Sequence, residues 1–172
     1  MTIVGARNTT TYTWLCRTEL DRERMVTTVR WVGPARALMF LILLGVIVGS
    51  AHDTGWLALV PLVVCAGISI PLYRNLERRR RPEYWAAGGW LVTQISLGAG
   101  IALTGGPRSP AMPWLAIAVI SLIARFSRVG ILVGLGFLFF ELVAVTFGID
   151  PVGVWNSPSE FLAPIGLLFS VG

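Results

Sequence analysis

The sequence predicts an all-α, polytopic membrane helix bundle: five full transmembrane helices, a partial sixth, and a cytoplasmic N-terminus. Three observations lead there. Apolar residues make up 55% of the chain and charged residues only 13%, about half the charged share of a soluble domain, and the mean hydropathy is +0.72. Apolar runs close to the length of a bilayer crossing, about 20 residues, recur along the whole chain. The fourteen basic residues, all arginine, sit in short clusters between those runs.

Residues 1–31 read as a cytoplasmic N-terminal segment. The opening "MTIVGARNTTTYTWLCRTELDRERM" has no apolar core before Arg17 and is not a secretory signal peptide. Within it, "TELDRERMVTTVRW" spaces Leu20, Met25, Val26 and Val29 as a partial apolar stripe with charges between them. That pattern predicts a short helix lying at the membrane surface. Gly33-Pro34 should break it from the first crossing, since proline is tolerated in a first helical turn.

Residues 32–172 read as the transmembrane domain, with helices at about 32–50, 55–73, 84–103, 112–126, 129–148 and 160–172. The fourth is short. The last runs thirteen residues from Glu160 to Gly172, about 20 Å of helix, and does not cross a core of about 30 Å. The expectation is therefore a fragment of a longer protein.

Arginine placement sets the orientation. With the N-terminus inside, thirteen of the fourteen arginines face the cytoplasm and only Arg108 lies outside. Trp31, Trp56, Tyr73, Tyr84, Trp85, Trp114 and Trp155 fall near helix ends, where an amphipathic ring suits the headgroup level. Trp90 is deeper and should pack between helices. The net charge of +5 belongs to these membrane-flanking clusters, so no nucleic-acid partner is expected. The lipid bilayer is the first partner, at the bacterial inner membrane.

Intramembrane charge is costly and usually faces protein or water. Glu141 is the only carboxylate deep in a predicted helix. Two roles stand open for it, a signal or ion site and a structural hydrogen bond. Gln94, with Thr93 and Ser96, offers polar atoms for bonding between helices. "GAGIA" and "GLG" offer small-residue faces for close packing. His52 and Asp53 fall on the outer turn, where an exposed turn is the plain reading. The basic run Arg78, Arg79, Arg80 and Arg81 reads as a topogenic anchor that also suits anionic headgroups. Cys16 and Cys65 should lie at different depths and stay unpaired. No phosphate loop, hydrolase elbow, paired-carboxylate site or metal-ligand spacing is present, so neither cofactor, metal nor catalysis is expected of these residues.

The loop "LTGGPRSPAMP" stands apart. Gly105 and Gly106 suit a sharp turn, and Pro107 and Pro110 restrict it. Glu141 lies eleven residues beyond Gly130, about 16 Å along its helix, a little below this loop. Arg108 is therefore expected to point down and pair with Glu141. With Gln94 and Ser109, these two residues are the candidate ligand or signal positions.

An acidic-basic helix ending in Arg30-Trp31, about six hydrophobic helices and "TGGPRSP" in an outer loop resemble the membrane input domains of bacterial sensor histidine kinases. Similar domains precede some diguanylate cyclases. The resemblance covers about residues 19–172, and its matched loop residues are Thr104, Gly105, Gly106, Ser109 and Pro110. It implies a sensor domain, paired as a homodimer, that relays a small helix shift to a cytoplasmic transmitter module missing from this chain. The chain carries no phosphoacceptor His box, ATP-binding glycine box or cyclase motif, and His52 lies on the wrong side for one. A small transporter or channel subunit and a non-catalytic assembly protein are the alternatives.

Overall fold

The computed structural model describes residues 13–78, 80–106, 109, 111–149, 151 and 166. Apart from Gly166 the predicted sixth helix lies outside the described residues, as do Arg79, Pro107, Arg108 and Pro110. Six α-helices follow one another with no strand among the described residues: α1 Glu19–Trp31, α2 Gly33–Thr54, α3 Leu59–Arg74, α4 Pro82–Leu103, α5 Trp114–Arg125 and α6 Arg128–Ile149. Short 3-10 turns, Trp56–Ala58 and Leu76–Arg78, precede α3 and α4.

The N-terminal helix forms where its pattern asks for it. Thr18 Oγ1 accepts from the Asp21 N–H, and Asp21 Oδ2 accepts from the Thr18 N–H, each at 3.1 Å. This reciprocal cap satisfies two amides that a helix start otherwise leaves bare. Glu19 and Asp21 in the first turn and Arg30 in the last complement the helix dipole. Met25 and Val29, one turn apart, are buried, whereas Leu20, expected on the same stripe, is 77% exposed. The chain bends by 46° between α1 and α2, at Val32 and Gly33-Pro34.

Among the described residues, three helical stretches are long and apolar enough to cross a membrane: Trp56–Arg74, Pro82–Leu103 and Arg128–Ile149. The bent α1–α2 pair makes a fourth if it is counted as one span. The twelve residues of α5 are a shorter apolar helix, about 18 Å long. The α2 helix runs on to Thr54, so His52 and Asp53 sit in its last turn rather than on an open loop.

The central helix is α4. Ala86, Trp90, Gln94, Gly98 and Ile101 form its buried stripe at spacings of three and four, the period of one helix face. The α3 helix packs closest to it, and Gly89 marks the approach: a Cβ there would lie 2.7 Å from the Tyr73 ring. On α6 the buried stripe is Gly130, Gly134, Leu138, Leu142 and Thr146. A Cβ on Gly134 would run into Leu122 of α5, and one on Gly98 into the Glu141 carboxylate. Gly100 and Gly136 have open space instead. Residues two apart point to different faces of a helix, so only one glycine of each small-residue pair takes part in packing.

The segment before α1 straps the ends of α5 and α6. The Ser127 N–H donates to the Leu15 carbonyl at 3.0 Å, and Ser127 Oγ donates to the Trp14 carbonyl at 2.6 Å. Arg22 reaches across to the start of α4. Its Nη2 donates to the Arg80 carbonyl at 3.2 Å, and its Nε lies 3.7 Å from Glu83 Oε2. One end of the bundle thus gathers Arg22, Arg36, Arg125 and the α3–α4 link.

Candidate functional site

A cavity of about 180 Å³ lies between α2, α3, α4 and α5. Its walls are mostly apolar, from Met39, Phe40, Leu43, Leu62, Leu97 and Ile117. Such a space arises because α5 is short and α2 is joined to the rest at a bend. The helices meet tightly at Gly89 and Gly134 but part where α2 faces α4.

The arginine-rich end of this cavity is its most polar part. Arg36, the fourth residue of α2, and Arg125, the last of α5, both line it. The Arg36 guanidinium stacks 3.9 Å above the Tyr73 ring, a favourable cation–π geometry. Its Nη2 is buried with no hydrogen-bond partner. Arg125 is only 6% exposed, and its Nε is likewise buried without a partner. Among the described residues neither arginine is in an ion pair, and the two charges oppose one another. Burial costs a guanidinium its hydration, which the Tyr73 ring offsets in part at Arg36 and no hydrogen-bond partner offsets at Arg125 Nε. Together they place two positive charges at this end of the cavity.

Midway along, Cys65, Thr93 and Gln94 line the wall. Thr93 Oγ1 donates to the Gly89 carbonyl of its own helix at 2.8 Å, and the Cys65 thiol lies 3.9 Å from Thr93 Oγ1. Gln94 is 2% exposed, and its Oε1 has no partner. Trp90 packs between helices, its Nε1 donating to the Ala118 carbonyl at 3.4 Å and its ring edge-to-face with Phe137 at 6.2 Å.

At the opposite end, Thr104, Ala111 and Trp114 close the cavity. Thr104 Oγ1 bonds the Gly100 carbonyl at 2.7 Å and also meets Ser109 Oγ. Ser109 is 4% exposed, and its Oγ accepts from the Ala111 N–H at 3.1 Å. The hydroxyl thus ties the loop together from inside. Gly105 and Gly106 have φ of 107° and 61°, the left-handed backbone that favours glycine.

Glu141 stands apart from the cavity. Its carboxylate lies against Gly98 on the α4–α6 contact, with Oε2 buried and without a partner. The expected Arg108–Glu141 pair falls outside the described residues. Arg78, Arg80 and Arg81 are exposed on the α3–α4 link, as expected of a surface anchor.

The sequence reading treated Arg36 and Arg125 only as topology markers. One signal was present. Leu115, Ala118, Leu122 and Arg125 follow one another at helical spacing, so the arginine continues the buried stripe of α5. Glu83, buried at 5% beside Arg22, was also missed. Both cysteines are free and buried. Burial pushes the Cys16 thiol up to about 11, with the Glu83 and Asp21 carboxylates adding to the effect. Such a thiol is no nucleophile at neutral pH.

No family model matches the chain, and neither a curated protein nor a solved structure is similar to it.

Proposed function

We propose that this chain is the membrane sensor domain of a bacterial signal-transduction protein of the histidine-kinase type. In this reading it sits in the inner membrane with five crossings and the arginine-rich end in the cytoplasm. The sixth segment leads to a transmitter module, and the complete protein is a homodimer. One observation supports the reading most directly. Arg36 and Tyr73 line the interior cavity and also a second recess walled by Val26, Val29 and Arg30 of α1. The Arg36–Tyr73 stack thus stands between the cavity and the recess that α1 borders. That is the geometry a relay needs, a shared element biased by a ligand on one side and read on the other. The cavity's apolar walls suit holding a molecule better than conducting a polar one, which weighs against the transporter alternative.

The test joins the full chain to the transmitter of a characterised histidine kinase and measures autophosphorylation. Gly100→Leu fills the cavity, because Gly100 lines it and has open space at its Cβ. Gly136→Leu adds the same bulk on an exposed stretch of α6 outside it. The first should shift output several-fold and the second should not. Equal output from both variants and the parent, with all three folded, refutes the sensor reading.

A further inference from the structure

The cavity has a chemistry as well as a shape. At one end stand two guanidiniums with buried, unpartnered nitrogens and no carboxylate in ion-pair distance among the described residues. Beyond them the wall is apolar, from Leu43 and Leu62 on one side to Leu97 and Ile117 on the other. We infer that the cavity binds a single-chain anionic amphiphile, its carboxylate, phosphate or sulfate head between Arg36 and Arg125 and its chain along the apolar walls. The inference rests on the cavity being a ligand site, as in the sensor reading, and adds the class of ligand.

Each part of that class follows from an observation. The head is anionic because a planar guanidinium matches such oxygens with two parallel hydrogen bonds. Arg36 and Arg125 both line the cavity with no acid in ion-pair distance among the described residues, so their guanidiniums supply the positive charge for it. Tyr73, stacked beneath Arg36, holds one guanidinium in place and so lowers the ordering cost of binding. The tail is apolar and short. An apolar cavity of about 150 Å³ accepts benzene, so about 180 Å³ holds a chain of roughly six to eight carbons. The head lies at the bundle end where the arginines cluster, so the ligand keeps its charge at headgroup level while its chain rises between the helices.

The experiment uses the full chain in nanodiscs of zwitterionic lipid, with calorimetric titration corrected against empty discs. The probes are octanoate, octanol and inorganic phosphate, and a second disc preparation contains an anionic phospholipid. Octanoate should bind at least tenfold more tightly than octanol. Arg125→Gln and Arg36→Gln should each remove that preference while leaving octanol binding in place. Gly100→Leu should abolish binding of both chains. Arg128→Gln, at an exposed arginine three residues further on, should change nothing. Should Arg125→Gln fail to fold, Arg125→Lys keeps the charge without the planar fork and should still cost several-fold.

Equal affinity for octanoate and octanol overturns the proposal. So does equal loss from Arg128→Gln and Arg125→Gln, which would mean general surface charge. Phosphate binding as tightly as octanoate assigns a free-anion site instead. Loss of octanoate binding only in anionic discs assigns the cavity to a membrane lipid's head. The sensor reading fails separately: octanoate that binds the kinase fusion without changing its output sinks that reading alone. Output that responds to Gly100→Leu without octanoate binding sinks the ligand class alone.

Discussion

Gly89 separates a packing argument from a propensity argument within one dipeptide. A methyl at Gly89 would meet Tyr73 Cζ and Oη at 2.7 Å and Leu72 Cδ2 at 3.1 Å, whereas one at Gly88 meets nothing within 4 Å. The Tyr73 ring is rigid and lies beneath the Arg36 guanidinium, so it yields only by swinging away. Overpacking of this kind costs about 1–3 kcal/mol, and a disturbed cation–π stack costs about 0.5–2 more. Alanine returns about 0.5–1 kcal/mol in helix propensity. The net for Gly89→Ala is a loss of roughly 0.5–4.5 kcal/mol, while Gly88→Ala should be neutral or slightly stabilising. At roughly 2–4 °C per kcal/mol for a chain of this size, Gly89→Ala should lower Tm by about 1–18 °C. The molecule supplies its own assay. Cys16 and Cys65 are 2% and 3% exposed, so a fluorogenic thiol reagent reacts as the protein unfolds on heating. Tyr73→Leu should restore most of the lost stability in the Gly89→Ala background, because the clashing ring is gone. Equal Tm for Gly88→Ala and Gly89→Ala refutes the close approach of α3 and α4.

Further expectations concern topology, the loop and the thiol. In a Cys16→Ala, Cys65→Ala background, a cysteine at exposed Gly105 should label from outside intact cells and one at exposed Arg78 only after lysis; the reverse pattern inverts the orientation. Ser109→Ala removes the acceptor for the Ala111 N–H and the partner of Thr104. It should cost about 1–3 kcal/mol and speed amide exchange at Ala111 at least tenfold; unchanged exchange would show that the hydroxyl does not hold the loop. The raised thiol of Cys16 gives a pH dependence of definite sign. The unfolded chain ionises this thiol near 9.0 and the folded chain only near 11. Stability should therefore be level below about pH 9 and fall as pH rises towards 11. Cys16→Ala should flatten that decline, and an undiminished decline means the thiol is not its source.

The sequence alone determined the class and the order of the elements. Long apolar runs lead to helices because backbone groups away from water must bond within their own segment. The observed helices α2 to α6 therefore fall on the predicted runs, with no end moved by more than four residues. The turn at Gly105-Gly106 was legible because it depends on neighbours in the chain. The side of each helix that meets another was not. "AAGGW", "GAGIA" and "GLG" each hold two glycines, and only the packed structure shows that Gly89, Gly98 and Gly134 take the contacts. In a helix apolar all round, periodicity no longer marks the inner face. The cavity escaped for the same reason. Arg36 and Arg125 are eighty-nine positions apart in the chain, and each alone looks like any arginine flanking a membrane. Only the folding of α2 and α5 around α4 sets both at one end of the same apolar space.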